Sequence, residues 1–364
     1  MNVYNFVPID KDHPPQRAAI PRHDRYEGLA GQIQCQLKAE RPLFLPGIDG
    51  YGRPLVGRGE LRLFSRSEAR RSKDNPDGLF IAGSSLKGLL RSIVEATAPG
   101  CFQHLQHNRE RGGTVPEAFH ACPPRGRDPV ACPACRLFGF IGQGTDAPLR
   151  RGCVECQDAV CVECTGYEAI YTAILGNPKQ RHSAFYAPDG RLAGRKFYYH
   201  HREDQLLTES GWRISNRGER QNAHIEPVRA GTRFAFTVDF ANVSEEDLEA
   251  LLFALVLEEN LRHKFGYAKP CGLGSVQITV ERLVVLRNPV RRYVGSGAEE
   301  EWAGAAAAEE ARRRAAAFQE RILPCVLEKL QEIWRWPPAA GVDYRYPSQA
   351  WFAENPRAPL SATP

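Results

Sequence analysis

The chain has 364 residues, of which 42% are hydrophobic and 25% charged, a composition typical of a globular protein with a substantial core. Its formal net charge of +5 is compatible with a polyanionic partner but does not require one. No apolar run resembles a signal peptide, and none reaches the roughly 18 residues needed to cross a bilayer, so we expect a cytoplasmic protein with no membrane partner.

Up to residue 77 the sequence predicts one strand followed by long loops. Residues 31–37 alternate between polar and apolar side chains, which is typical of a strand. Residues 42–59 are rich in glycine and proline and predict a loop. Charged residues then predominate at 66–77, so the first helix is expected after them.

A predicted helix starts at Ser84 or Ser85 and has apolar residues at every third or fourth position. Either serine can cap its first turn, and the preceding glycine lets another backbone approach closely. Free amides, hydroxyls and cations at a helix start attract anions, so this segment predicts a phosphate site. The residues expected to contact the anion are Gly83, Ser84, Ser85, Lys87 and Arg91. The alternative is a capped core helix whose lysine is merely solvated.

Residues 100–165 are predicted to be an irregular insertion that contains most of the eleven cysteines. Disulfides are unfavourable in a reducing compartment, so clustered thiols indicate a metal site. The Cys132-x-x-Cys135 pair predicts a tetrahedral, structural Zn²⁺ site that would hold the insertion together. Its other two predicted ligands are His120 and Cys122. Alternative fourth ligands are Cys101, His104 and His107, and the other interpretation is a set of buried free cysteines.

Two further Cys-x-x-Cys pairs follow, Cys153 with Cys156 and Cys161 with Cys164. They lie close enough in sequence to close a second zinc site across a short hairpin. An iron–sulfur cluster is the alternative, although the spacing matches no common cluster motif.

Residues 194–202 interleave cations with aromatic residues. Such a run can stack bases on its rings while its charges follow phosphates. The residues expected to do so are Arg195, Lys196 and Tyr198. The alternative is an ordinary exposed strand whose cations extend into solvent.

The second half of the chain predicts a strand, a helix and a glycine-rich loop. Residues 232–240 alternate as a strand, and a capping box at 244–247 opens a helix that runs to about residue 257. The glycines of residues 264–275 would let backbone amides face a ligand. The residues expected to contact that ligand are Lys264, Lys269, Gly272 and Gly274. The alternative is a flexible hairpin loop with solvated lysines.

The order strand, helix, strand, helix, strand fits an interrupted α+β fold of the ferredoxin or RNA-recognition type. We expect this domain to span residues 1–290, with the insertion at about 100–165. Residues 291–364 are expected to form a tail of one or two helices, broken near Pro324, and a proline-rich end.

Three segments together resemble the RAMP superfamily (repeat-associated mysterious proteins) of CRISPR systems. Residues 81–88, Ile-Ala-Gly-Ser-Ser-Leu-Lys-Gly, look like the family's PGSSLKG signature, with alanine in place of proline. Residues 132–139, Cys-Pro-Ala-Cys-Arg-Leu-Phe-Gly, look like its CxxCRLFG segment. Residues 271–275 are similar to its C-terminal glycine-rich loop, and residues 4–8 and 194–201 look like one subgroup from type III loci.

The resemblance covers roughly residues 1–286 and implies a modified RNA-recognition fold in a type III effector ribonucleoprotein. The implied partners are guide RNA, target RNA and other CRISPR effector subunits. Lysines and arginines of the motifs would then meet backbone phosphates, and RNA binding would depend strongly on salt. The resemblance also places residues 153–164 on a strand, where residues three apart face opposite sides, so the second zinc site stays open.

In family members that cleave target RNA, an aspartate in the loop after the first strand supports metal-dependent attack by a ribose 2′-hydroxyl. Asp49 is the first candidate here, with Asp74 and Asp77 in reserve. Mg²⁺ or Mn²⁺ would be the cofactor of that reaction. The alternative is that an aspartate between glycines is simply a turn former.

Two other functions are weighed against this one. The first is a stand-alone, metal-independent endoribonuclease that processes precursor guide RNA, with His200 and His201 or His23 as acid and base. The second is a zinc-stabilised structural adaptor whose tail recruits other subunits and which contacts RNA little.

Overall fold

The computed structural model describes residues 1–49, 51–103, 114–122, 129–142, 149–173, 175, 183–206, 222–287 and 299–363. Two of the alternative zinc ligands, His104 and His107, lie outside the described residues. The strands are β1 Tyr4–Val7, β2 Ala18–Ala19, β3 Leu29–Ala39, β4 Phe80–Ile81, β5 Val130–Ala131, β6 Gly139–Ile141, β7 Leu149–Arg151, β8 Val154–Cys156, β9 Ala159–Glu163, β10 Ile170–Tyr171, β11 Arg195–Tyr198, β12 His224–Ile225, β13 Arg233–Val243, β14 His263–Lys264, β15 Ser275–Leu286 and β16 Glu299–Ala303. The helices are α1 Gly83–Thr97, α2 Pro133–Phe138, α3 Ser183–Tyr186, α4 Glu245–Val256, α5 Ala305–Gln319, α6 Pro324–Trp334 and α7 Gln349–Glu354.

The fold is built on one large antiparallel sheet with the strand order β14–β15–β3–β13–β9–β4. In addition, β16 pairs with β15, and β8 pairs with β13. Ile33 of β3 lies between Val238 of β13 and Leu283 of β15, which puts β3 at the centre. Along the chain, α1 connects β3 to β8 and β9, and α4 connects β13 to β15. The predicted mixed α+β class is therefore confirmed.

The long strands have one buried and one polar face. Along β3 and β13, buried side chains alternate with more exposed ones, as the sequence predicts. Helix α1 packs against β8, and α4 packs against β15. The polar face carries glutamines of β3, of which Gln32 donates a hydrogen bond to Asp239 of β13 at 2.9 Å. The half-buried and exposed positions of β3, β13 and β15 include no aromatic residue. Along these three strands the polar face therefore lacks the rings on which RNA-recognition sheets stack bases.

A separate two-stranded ribbon, formed by β1 and β11, lies beside the main sheet. Tyr4 is paired with Tyr198, and Phe6 with Lys196. The ribbon contacts α6, and Phe197 packs edge-on against Trp334 of that helix. The cation-rich segment predicted at residues 194–202 therefore lies outside the main sheet, and its position depends on packing against helices such as α6.

The C-terminal tail packs on the same chain. Helix α5 contacts α4 and β15, with Phe318 lying 5.7 Å from Phe253 between ring centroids. The expected helix break is present, because α6 begins at Pro324, where proline is tolerated in the first turn. Among the described helices, none combines the length and the apolar character that crossing a bilayer requires.

Candidate nucleic-acid groove and metal centre

A groove of about 850 Å³ lies between α1, the β1–β11 ribbon and the segment after β14. Residues from three sequence-predicted segments line it together: Ser85, Lys196, Tyr198, Lys264 and Lys269. Their neighbours on the groove wall include the rings of Phe6, Tyr186 and Tyr267. Tertiary structure therefore places cations, rings and a helix flank around one cavity, although they lie far apart in sequence.

The start of α1 differs from the sequence-based prediction. Ala82 is the N-cap and no side chain caps the helix, so the expected serine cap is wrong. The backbone amide of Gly83 instead donates to the carboxylate of Asp158, 2.8 Å away, and Asp158 also pairs with Arg70. The Asp158 carboxylate already occupies the positive end of the α1 helix dipole. A phosphate therefore fits better on the flank of α1 than at its first amide.

The expected close approach at Gly83 is present. A Cβ atom at this position would lie 2.0 Å from the carbonyl oxygen of Cys156 in β8, so only glycine fits. Ser84 is exposed and Ser85 is half-buried, and both are therefore available on the helix flank.

No contact within the described part of the protein requires glycine at Gly88. It is exposed in the middle of α1, and a Cβ atom there would meet no heavy atom within 4 Å. A glycine inside a helix costs about 1 kcal/mol relative to alanine. Because the residue also lines the groove, it leaves a bare stretch of helix that a ligand can approach.

Two lysines bring positive charge to the groove. The Nζ atom of Lys196 lies 3.6 Å from the centroid of the Tyr4 ring, and burial lowers the pKa of this lysine to about 8. Lys269 donates to the carbonyl oxygen of Gly266 at 2.6 Å, and burial lowers its pKa as well. An approaching phosphate would raise the pKa of both lysines, because a nearby negative charge favours the ammonium form.

Lys264 does not present its charge as the sequence suggested. It is buried, and its Nζ atom donates to the carbonyl oxygen of Gly272 at 2.8 Å. The lysine therefore holds the glycine-rich loop from inside the protein. A phosphate contact would require the loop to lose that bond.

The glycines of the loop also have internal partners. Gly272 and Gly274 have φ angles of +90° and +78°, which favour glycine, and a Cβ atom at Gly274 would lie 1.8 Å from the carbonyl oxygen of Phe265. Their amides donate to the carbonyls of Lys269 and Pro42. The expectation that these amides face a ligand is corrected, because the Gly272 amide closes the turn before β15 and the Gly274 amide binds the segment after β3.

Arg91 and Arg195 are likewise used inside the protein. Their guanidinium groups bind opposite oxygens of the Glu95 carboxylate, at 2.8 and 2.7 Å. Arg195 further donates to the carbonyls of Gly100 and Cys101, each at 2.9 Å. These contacts tie the insertion to α1, so neither arginine is a free phosphate ligand. The i, i+4 spacing of Arg91 and Glu95 was the only sequence signal of this pairing.

Lys87 lies in a neighbouring groove of about 820 Å³ that shares Glu95 and Arg195 with the first. The lysine is half-buried, and this burial lowers its pKa. It faces away from the cavity lined by Lys196, on the adjacent flank of α1.

Four cysteines of the insertion form a buried cluster. The sulfur atoms of Cys101, Cys122, Cys132 and Cys135 all lie within 4.8 Å of one another. A zinc ion bound tetrahedrally by four thiolates at about 2.3 Å requires sulfurs about 3.8 Å apart, and the Cys101 and Cys135 sulfurs are 3.6 Å apart. The cluster therefore could hold a metal ion such as zinc.

The composition of this cluster corrects the predicted ligand set. Cys101, an alternative in the sequence analysis, takes the fourth place, and His120 lies outside the group. Cys132 is the N-cap of α2 and Cys135 lies in its first turn, which brings both sulfurs to one side. Cys101 lies four residues after the end of α1. The sequence does not show that its sulfur reaches the other three, because its position depends on how that helix packs.

Comparison with known proteins supplies the family. Residues 54–277, more than half of the chain, match the model of the RAMP superfamily. The chain belongs to the RAMP superfamily. Among solved structures it is similar to the crystal structure of Thermofilum pendens Csc2, with 13% sequence identity and a TM-score of 0.34 over 88% of this chain and 87% of that chain. No curated protein sequence matches it.

In this RAMP protein the second set of cysteines does not form a metal site among the described residues. β8 and β9 pair with successive parts of β13, so the four cysteines are spread along one extended segment. Cys161 and Cys164 are joined by a disulfide, contrary to the expectation that disulfides are unfavourable in this chain. Cys153 and Cys156 remain free thiols whose pKa is raised by burial, to about 11 and about 12.

Asp49 of this RAMP protein closes a turn at the tip of the loop after β3. Its Oδ1 atom accepts hydrogen bonds from the amides of Tyr51 and Arg53, each at 2.8 Å. Asp74 is exposed and Asp77 half-buried. In the described part of the chain, none of the three aspartates belongs to a group of potential metal ligands.

His200 and His201, two of the three histidines proposed for the alternative ribonuclease, are structural. His200 is buried between the Ser275 hydroxyl at 2.7 Å and the Arg262 carbonyl at 3.0 Å, and burial lowers its pKa. His201 is buried against the Tyr344 carbonyl at 3.1 Å, and burial lowers its pKa to about 3. Neither histidine can exchange protons with a substrate at neutral pH. His23 is exposed, with Nε2 3.2 Å from the Arg151 carbonyl oxygen.

Proposed function

We propose that this RAMP protein is a subunit of a type III CRISPR effector ribonucleoprotein and binds guide RNA in the groove between α1 and β11. The observation that carries the proposal is the groove wall itself. Gly88 leaves the helix flank bare without any internal need for glycine, and it lines the same groove as Lys196 and Lys269, whose charged forms are made less stable by burial. A polyanion at this wall would stabilise the charged form of both lysines.

The sheet supports the same proposal. The order β15–β3–β13–β9, with α1 and α4 as the connecting helices, is that of a ferredoxin-like β-α-β-β-α-β unit. On β3, β13 and β15 the open face carries no ring for stacking, so bases are expected at Tyr198 and Tyr186 in the groove rather than along these strands. Phosphates would then contact Lys196, Lys269 and Ser85.

Target RNA and neighbouring effector subunits are the other proposed partners. Guide RNA held in the groove would present its bases for pairing, and further subunits would continue the particle on either side. We also propose that the Cys101 cluster binds zinc and thereby fixes the insertion next to the groove.

The experiment is a titration of single-stranded guide RNA with the purified full chain at several salt concentrations, followed by fluorescence anisotropy. The variants Lys196→Gln and Lys269→Gln should each weaken binding about 5- to 20-fold and lower the salt slope by about one. The matched control is Lys73→Gln, which removes an exposed lysine outside the groove. Equal loss in the control and the groove variants would contradict the proposed site.

Cleavage of target RNA is the finer part of the proposal. Asp49 directs Oδ1 into its own turn, and its other oxygen accepts no bond within the described structure. We propose Asp49 as the residue on which Mg²⁺- or Mn²⁺-dependent cleavage would depend. Asp49→Asn keeps the turn acceptor, so it should abolish EDTA-sensitive cutting of paired target while leaving guide binding unchanged. Undiminished cutting by this variant would exclude Asp49.

A further inference from the structure

Arg195 lies between the cysteine cluster and the groove and contacts both sides. Its guanidinium group donates to the carbonyl oxygen of Cys101, one of the four clustered residues, at 2.9 Å. It also lies 4.1 Å from the centroid of the Phe102 ring. Its side chain is only 14% exposed, so these contacts fix it firmly. The next residue, Lys196, lies on the other side of β11 and lines the groove.

A second set of contacts reaches the cluster from α1. Arg91 shares the Glu95 carboxylate with Arg195 and directs its Nη2 atom at the sulfur of Cys135, 3.6 Å away. The amide of Gln103 adds a donor to the same sulfur at 3.2 Å. Donors of this kind around ligand sulfurs stabilise the thiolate form and set the affinity for the metal.

The ribbon that carries Lys196 depends on these contacts for its position. β11 pairs only with β1 among the described strands, and that ribbon is not part of the main sheet. Arg195 binds it to Glu95 near the end of α1 and to the Gly100 and Cys101 carbonyls. Movement of the Cys101 backbone would therefore shift the strand on which the groove lysine lies.

We propose that Arg195 is a positioning residue that couples the four-cysteine centre to the groove, so that a metal ion in the cluster and RNA in the groove strengthen each other's binding. The proposal rests on the RNA binding proposed above. Zinc bound by the cluster would fix the Cys101 carbonyl, and with it Arg195, β11 and Lys196. By thermodynamic reciprocity, RNA that fixes β11 must raise zinc affinity by the same factor.

The test measures the Zn²⁺ affinity of the full chain by equilibrium competition with a coloured chelator, with and without saturating single-stranded guide RNA. RNA should raise the zinc affinity of the native protein about 10-fold, within the usual range for coupled sites. In Arg195→Gln, RNA should still bind but should change the zinc affinity by less than about 2-fold. The matched control is Arg202→Gln, a half-buried arginine four residues after β11 that pairs with Asp204 and not with Glu95 or Cys101, and it should keep the full RNA effect.

Each other outcome overturns the coupling. If RNA binds the native protein but leaves the zinc affinity unchanged, the coupling is wrong while the proposed RNA groove stands. If no RNA binds, both proposals fail together. If Arg195→Gln behaves like the control, Arg195 is not the link. Should Arg195→Gln fail to fold, Arg195→Lys carries the test, because it keeps the charge but loses the forked contact to two carbonyls.

Discussion

At the scale of single residues, substitutions of Gly88 should change stability and RNA binding in opposite directions. The substitution Gly88→Ala should raise the free energy of unfolding by about 1 kcal/mol, because alanine favours the helix and its Cβ atom meets nothing within 4 Å. The same substitution should weaken RNA binding, and Gly88→Leu should weaken it further. Urea unfolding and anisotropy titrations measure the two effects. RNA affinity that is unchanged in Gly88→Leu would show that no ligand approaches this part of α1.

The lowered pKa of Lys196 leads us to expect that RNA binding depends on pH. Burial lowers its pKa to about 8 in the free protein, so the ammonium group is charged below that pH and neutral above it. RNA favours the charged form, so affinity should be constant below about pH 7 and fall as the pH rises through 8, by up to about tenfold per unit. Lys196→Met should bind more weakly and lose this step. Titrations between pH 6.5 and 9.5 would show it.

At the scale of elements, the insertion should depend on the cysteine cluster. Because α2 and the end of α1 meet at the four sulfurs, Cys101→Ala should lose bound zinc and lower the melting temperature. His120→Ala removes the ligand that the sequence favoured and the structure leaves out, so its zinc content should stay at one ion per chain. Metal analysis of the two purified variants decides between the two ligand sets. Loss of zinc from His120→Ala alone would contradict the observed cluster.

At the scale of the whole molecule, the tail belongs to the folded core. Phe318 of α5 is buried against Phe253 of α4, so Phe318→Ala should lower the free energy of unfolding by about 3 to 5 kcal/mol. Arg312→Ala removes an exposed side chain of the same helix and should change it by less than about 0.5 kcal/mol. Denaturant unfolding of both variants tests this. A tail that served only to recruit other subunits would tolerate both substitutions equally.

Much of the molecule follows from sequence because the physics is local. The alternation of β3 and β13 and the capping box of α4, where the Ser244 hydroxyl accepts from the Asp247 amide at 3.1 Å, need only neighbouring residues. The three motifs likewise identified the RAMP superfamily, which the match over residues 54–277 confirms. The Cys132-x-x-Cys135 pair also lies in the cluster, since one helical turn brings its sulfurs together.

Only the tertiary structure decided which side chains are free to bind. Lys264, Arg91 and Arg195 look like Lys196 in sequence, yet folding turns these three toward carbonyl and carboxylate oxygens inside the protein. The same holds for Asp158 at the start of α1 and for Cys101 in the cluster, whose partners lie tens of residues away. Lys269 also donates to a carbonyl, that of Gly266, but it is only half-buried on the groove wall. A sequence fixes the chemistry of each side chain, but its charge reaches a ligand only if no other part of the chain has already satisfied it.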